Sequence, residues 1–139
     1  AMTGGQVAPT TPEEAHTMTT PYGSGEPRFD VCKHADAAGA THVERWTTAQ
    51  PLQCKKAMER ALQHKGFSLI EIVSQCPTHY GRYALRTGDP MKVMEYIQAT
   101  TYSKELAGKL TEEEKEGKLP LGEFICVEKP VYAGTNMEL

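Results

Sequence analysis

One short run stands out from the spacing of apolar residues along the chain. FSLIEIV (67–73) is apolar almost without interruption, the pattern of a strand in a parallel sheet covered on both faces. THVERW (41–46) reads as a second, shorter strand. Between them, residues 50 to 65 place Cys54, Ala57, Met58, Ala61 and Leu62 on one stripe, which predicts an amphipathic helix ended by Gly66. Asp30 can cap a helix running to about Ala38, with Gly39 closing it. Asp89-Pro90 starts another, with Val93, Met94 and Ile97 on its inner face. TEEEKEG (111–117) carries the capping box Thr111…Glu114, and EFICVEKP (123–130) reads as a last strand or edge segment. Residues 74–88 form a loop with Pro77, Gly81 and Gly88, and residues 1–28 are irregular and rich in Gly, Pro and Thr. The order is loop, α, β, α, β, loop, α, short α, β, which predicts an α/β fold with an open, mostly parallel sheet. Ligands of such sheets gather at the carboxyl ends of the strands. Cys76 lies three residues past the end of FSLIEIV, on that edge.

Composition narrows the classes. The chain has 139 residues, 39% hydrophobic and 24% charged, which fits one globular domain with a real core. A net charge of −3 argues against a general nucleic-acid binder, because phosphate neutralisation needs a basic surface. No apolar stretch approaches the roughly 20 residues of a membrane span. No signal peptide is visible, so the expected compartment is the cytoplasm. The four cysteines Cys32, Cys54, Cys76 and Cys126 form no C-x-x-C pair, and their wide spacing predicts reduced thiols. Cys32, Cys54 and Cys126 sit in apolar patterns and read as core residues. Only Cys76 falls at a loop. His16, His34, His42 and His64 read as surface or helix-face positions. The irregular stretch 1–28 is either a disordered tail or a functional loop. MTGGQ (2–6) also occurs in an epitope tag, so a tag remnant is the bland alternative for its first residues.

Several segments in combination carry a resemblance. MTGGQVAPTTP (2–12), TTPYG (19–23), AAGATHVERWT (37–47), HKGFSLIEIVSQCPTHYGR (64–82) and LGEFICVEKPVY (121–132) together resemble the beta subunit of 2-oxoacid:ferredoxin oxidoreductases, nearest to its 2-oxoglutarate (KorB-type) branch. The resemblance runs over nearly all 139 residues. It implies that residues 1–139 are the carboxyl-terminal part of a thiamine-diphosphate-binding α/β domain, with 1–28 a cofactor and partner loop and 29–139 the α/β body. It also implies an enzyme that decarboxylates a 2-oxoacid oxidatively with coenzyme A and passes electrons through a 4Fe–4S cluster to ferredoxin. The expected partners are the alpha subunit and other subunits of that enzyme.

By the same resemblance, Met2, Thr3, Gly4, Gly5 and Gln6 lie beside thiamine diphosphate. Glycines at such a place let backbone amides come close to a phosphate or ring. Cys76 is the implied fourth cluster ligand, held by Pro77. The family's G-D-G motif and Asn for magnesium, and its other cluster cysteines, have no counterpart here. The chain is therefore expected to be a fragment, a split subunit or a processed piece, and to be inactive alone. Cys76 and His79 make a C-x-x-H pair, but a zinc site needs two more ligands, and none is evident. The rival reading from another class is a non-catalytic binding or assembly module derived from the same fold.

Overall fold

The computed structural model of the chain describes residues 3–130. The described residues contain four strands: β1 (His42–Thr47), β2 (Ser68–Val73), β3 (Thr101–Ser103) and β4 (Leu119–Cys126). The helices are α1 (Val31–Ala37), α2 (Pro51–Gln63), α3 (Pro90–Ala99) and the short α4 (Glu112–Lys115). Of the described residues, those up to 31 with 74–101 form one compact unit, and 32–73 with those from 102 onward form a second.

The second unit holds the sheet, in the order β2-β1-β4-β3. β1 and β2 run parallel, with Val43 opposite Leu69 and Trp46 opposite Ile72. β4 joins β1 antiparallel, with an irregularity between Val43 and Glu44. The expected open α/β sheet is thus present. Successive β1 side chains point to opposite faces. Val43 meets a cluster of Cys32, Ala35 and Ala40, with Leu69, Phe124 and Ile125 packed against it. On the opposite face Glu44 meets Arg60 of α2, whose buried residues are Cys54 and Ala57, and His42 packs against His64 just past the end of that helix.

The first unit has little regular structure before α1. Its opening loop is nevertheless packed. Glu14 N–H donates to Ser24 O at 2.7 Å, Ser24 N–H to Ala15 O at 3.1 Å, and Phe29 N–H to Pro9 O at 2.8 Å. Thr11, Ala15, Thr17 and Ser24 are buried, so the disordered-tail alternative does not describe residues 4–30. α3 begins as expected, with the Asp89 carboxylate accepting from Met91 N–H at 2.9 Å and with Val93 and Ile97 buried.

Several expectations need correction. Cys126 is exposed rather than core, because it is the last residue of β4 and the chain leaves the sheet there. His42 is 1% exposed, since β1 lies between two neighbours and α2 covers it. Met58 and Leu62 are 46% and 88% exposed, so only part of the α2 stripe is covered. β4 starts at Leu119, four residues before the apolar pattern suggested, and β3 and the 3-10 turn Lys104–Lys109 carried no pattern strong enough to foresee. Among the described residues no helix is long and apolar enough to cross a membrane.

Candidate cofactor loop and cysteine turn

The first unit brings two glycine-dependent turns together. Thr3–Gly5 form a single 3-10 turn with Gly4 at φ 65° and Gly5 at φ 78°, a region costing other residues about 1–2 kcal/mol. Gly5 is also sterically committed. It is buried, and a Cβ there would stand 2.7 Å from Met18 Cβ and 3.5 Å from His79 Nδ1. Its carbonyl accepts from the Thr19 amide at 3.3 Å and the Thr19 hydroxyl at 3.4 Å. The TTPYG segment therefore pins the TGGQ turn. Gly4 and Gln6 are exposed.

The second turn follows Cys76. Pro77–Gly81 form one π turn with Cys76 as its N-cap, and the Gly81 amide donates to Cys76 O at 2.8 Å. A Cβ on Gly81 would stand 2.7 Å from Thr87 O and 2.9 Å from Val93 Cγ2, so only glycine lets the turn lie against α3. The Tyr80 and Tyr96 hydroxyls meet at 2.9 Å. Burial, and then this hydrogen bond, push the Tyr80 phenol well above its usual range. Cys76 is half-buried and forms no disulfide. His79 Nδ1 is buried with no hydrogen-bond partner among the described residues, and it faces Gly5.

The second unit carries a different polar cluster. Both Glu44 oxygens are engaged: Arg60 donates through Nε at 2.8 Å and Nη2 at 2.6 Å, Trp46 Nε1 at 2.6 Å and His42 Nε2 at 2.8 Å. Burial would raise the Glu44 pKa, but the hydrogen bonds from Arg60, Trp46 and His42, with the Arg60 charge, bring it down to about 2. His42, Glu44 and Glu123 can each offer one ligand atom within 4.8 Å of the others. Four donor nitrogens already fill the Glu44 carboxylate, two of them from the permanently charged Arg60 guanidinium. The cluster is an ion-pair network rather than a cation site. On the α1 face Arg45 Nε donates to Glu71 Oε2 at 2.6 Å, and the Cys32 thiol reaches the same oxygen at 3.5 Å.

The family model described as "Thiamine pyrophosphate enzyme, C-terminal TPP binding domain" matches residues 1–72, and the chain belongs to that family. It is 47% identical over 131 residues to the 2-oxoglutarate synthase subunit KorB of Methanocaldococcus jannaschii, covering 94% of this chain and 48% of the relative. The KorB subunit of Archaeoglobus fulgidus is 58% identical over 78 residues, 56% of this chain and 29% of that protein. A solved structure of 2-oxoglutarate:ferredoxin oxidoreductase from Magnetococcus marinus, with 2-oxoglutarate, coenzyme A and succinyl-CoA bound, shares the fold. Its TM-score is 0.71 at 22% identity, over 96% of this chain and 45% of that one. The chain spans about half the length of the first of these relatives.

Of the residues singled out by sequence, Gly4, Gly5 and Gln6 lie on the described turn, Thr3 opens it, and Met2 lies outside the described residues. Cys76 begins the turn whose His79 packs on Gly5. Sequence reasoning missed Met18 and Thr19, which hold Gly5 from the far side. The available signal is the TTPYG segment (19–23), which begins at Thr19 directly after Met18. The cradle at Gly5 and the partnerless nitrogen of His79 fit a site built around a bound group. Among the described residues they supply no carboxylate set for magnesium, and the one group of three potential ligands, His42, Glu44 and Glu123, includes the closed network at Glu44.

Proposed function

We propose that this chain is part of the beta subunit of a 2-oxoacid:ferredoxin oxidoreductase of the 2-oxoglutarate type. The observation that carries this reading is that the TGGQ turn and the turn after Cys76 pack together in one unit, in a chain of KorB-like sequence. Thiamine diphosphate, when bound, supplies the carbon nucleophile and electron sink for decarboxylating a 2-oxoacid. The chain's own residues hold and orient. Met2 to Gln6 form the cofactor loop, with Gly4 and Gly5 allowing close backbone approach. Thr19 and Met18 fix that loop from behind. Cys76 offers a thiolate, the soft ligand that a 4Fe–4S cluster takes. Magnesium and the remaining cluster ligands come from residues outside this chain, and coenzyme A, the alpha subunit and ferredoxin complete the reaction in the cytoplasm.

The test is reconstitution of the chain with the rest of the subunit and the alpha subunit. Ferredoxin reduction should require 2-oxoglutarate, coenzyme A and thiamine diphosphate together. An assembled complex that binds no thiamine diphosphate would overturn the reading and leave a non-catalytic module. The isolated chain is expected to lack micromolar affinity for thiamine diphosphate with magnesium, measured by calorimetry.

A further inference from the structure

The turn after Cys76 cannot yield toward α3. Gly81 closes it, giving its amide to Cys76 O at 2.8 Å. The place a Cβ would take on Gly81 is walled by Thr87 O at 2.7 Å, Val93 Cγ2 at 2.9 Å and Cys76 O at 3.4 Å. Val93 is itself buried, and the Tyr80–Tyr96 hydroxyl pair ties the turn to the same helix. A π turn closes over one residue more than an α turn, and such turns gather at functional sites. With its back fixed, the turn passes any change at Cys76 to the side that carries His79.

His79 is the middle residue of Pro77–Gly81 and is half-buried. Its Nδ1 stands 3.5 Å from where a Gly5 Cβ would be, and Met18 Cβ and Sδ stand 2.7 and 3.5 Å from the same point. Gly5 is held in turn by its carbonyl, which accepts from the Thr19 amide and hydroxyl. The His79 nitrogen is buried and has no hydrogen-bond partner among the described residues, a cost that an apolar ring would avoid. Contact between two turns, rather than a hydrogen bond from Nδ1, therefore places the ring. An unbroken path runs from the Cys76 backbone through the π turn and the imidazole to the buried glycine of TGGQ.

We propose that His79 is a positioning residue that couples the two sites. Holding Cys76 in a 4Fe–4S cluster seats the imidazole against Gly5, and the seated imidazole shapes the TGGQ turn for thiamine diphosphate. Close-packed contacts transmit strain rather than absorb it, so the seating reaches Gly5. Linkage makes the effect reciprocal: bound cofactor strengthens the hold on the cluster by the same factor. This deepens the proposed function and rests on it.

The experiment takes the assembled enzyme in two forms, with its cluster and after a chelator has stripped the iron anaerobically. Thiamine diphosphate with magnesium is titrated into each by calorimetry, with no substrate present. Affinity should be at least tenfold tighter in the cluster-loaded form. His79→Ala should bring that ratio below twofold, its loss of affinity falling almost wholly on the loaded form. His79→Phe keeps a ring between the turns and should hold the ratio above fivefold. In the converse measurement, saturating cofactor should raise the chelator concentration that removes half the iron at least tenfold in the native enzyme and less than twofold in His79→Ala. An equal loss of affinity in both forms of His79→Ala would make the residue a plain support of the loop and overturn the proposal. So would a His79→Phe ratio as low as that of His79→Ala. A native ratio near one would overturn it whether or not the variants assemble. An enzyme that binds no thiamine diphosphate in either form would sink the proposed function and this inference with it, whereas tight binding that ignores the cluster would sink this inference alone.

Discussion

The two units are built in opposite ways. In the second, regular strands and helices bury a small apolar cluster on one face of β1 and an ion-pair network on the other. In the first, a loop without strands is held by backbone bonds, two tight glycines and a π turn. Periodic structure gives a rigid frame but places few atoms where a cofactor needs them. Irregular backbone can bring Gly5, Met18 and His79 together from three distant stretches, and it does so where the resemblance puts the chemistry. The frame tolerates changes on its exposed flanks, whereas the loop depends on particular small residues.

The largest effect should come from the frame. Glu44→Gln leaves Arg60, Trp46 and His42 facing a neutral amide. The loss should be about 3 kcal/mol, at the low end for breaking a buried pair because the Arg60 side chain is 42% exposed. Urea unfolding of the chain measures it, and a loss under half that value would show that the network is mainly solvated.

Acid should expose the same network without mutation. The folded Glu44 carboxyl sits near 2 rather than its ordinary 4.5, so its stabilisation is complete above about 4.5 and is lost as pH falls toward 2. On the order of 2 kcal/mol should disappear across that window. The urea midpoint followed from pH 6 to 2.5 should show this fall in the native chain, and Glu44→Gln should lack it.

Gly5→Ala tests the loop. The positive φ and the Met18 contact should together cost about 1–3 kcal/mol locally. Amide exchange in residues 4–24 should rise while β1 and β2 keep their protection. In the assembled enzyme the affinity for thiamine diphosphate should fall at least tenfold. Equal destabilisation of both units would erase the contrast between them. Asp89→Ala, which removes the α3 cap, should cost about 1 kcal/mol and leave cofactor affinity unchanged. Calorimetry on the same samples measures both.

Much of the frame was legible because its signals are local. Asp89 before Pro90, the Thr111…Glu114 box and the apolar run of β2 each announce an element within a few residues. Partners were not legible. Nothing near His42 in sequence reports Arg60 and His64 packing on its strand, and the helical stripe could not reveal that Met58 and Leu62 lie beyond the covered part. The exposure of Cys126 depends on where β4 ends, which an apolar run does not state. In the loop, glycines marked the turn, but only the fold shows that Met18, Thr19 and His79 close on Gly5.

The central claim is that the turn after Cys76 serves a cluster beside the cofactor loop. The direct measurement is iron content and the electron paramagnetic resonance spectrum of four single variants in the assembled enzyme: Cys32→Ser, Cys54→Ser, Cys76→Ser and Cys126→Ser. Serine offers iron a harder oxygen in place of sulfur. Cys76→Ser should lose iron or shift the spectrum, with ferredoxin reduction falling sharply. The other three should keep a full cluster, Cys32→Ser and Cys54→Ser losing about 1–3 kcal/mol of stability for a buried hydroxyl and exposed Cys126→Ser little. A full, spectrally unchanged cluster in Cys76→Ser would contradict the account.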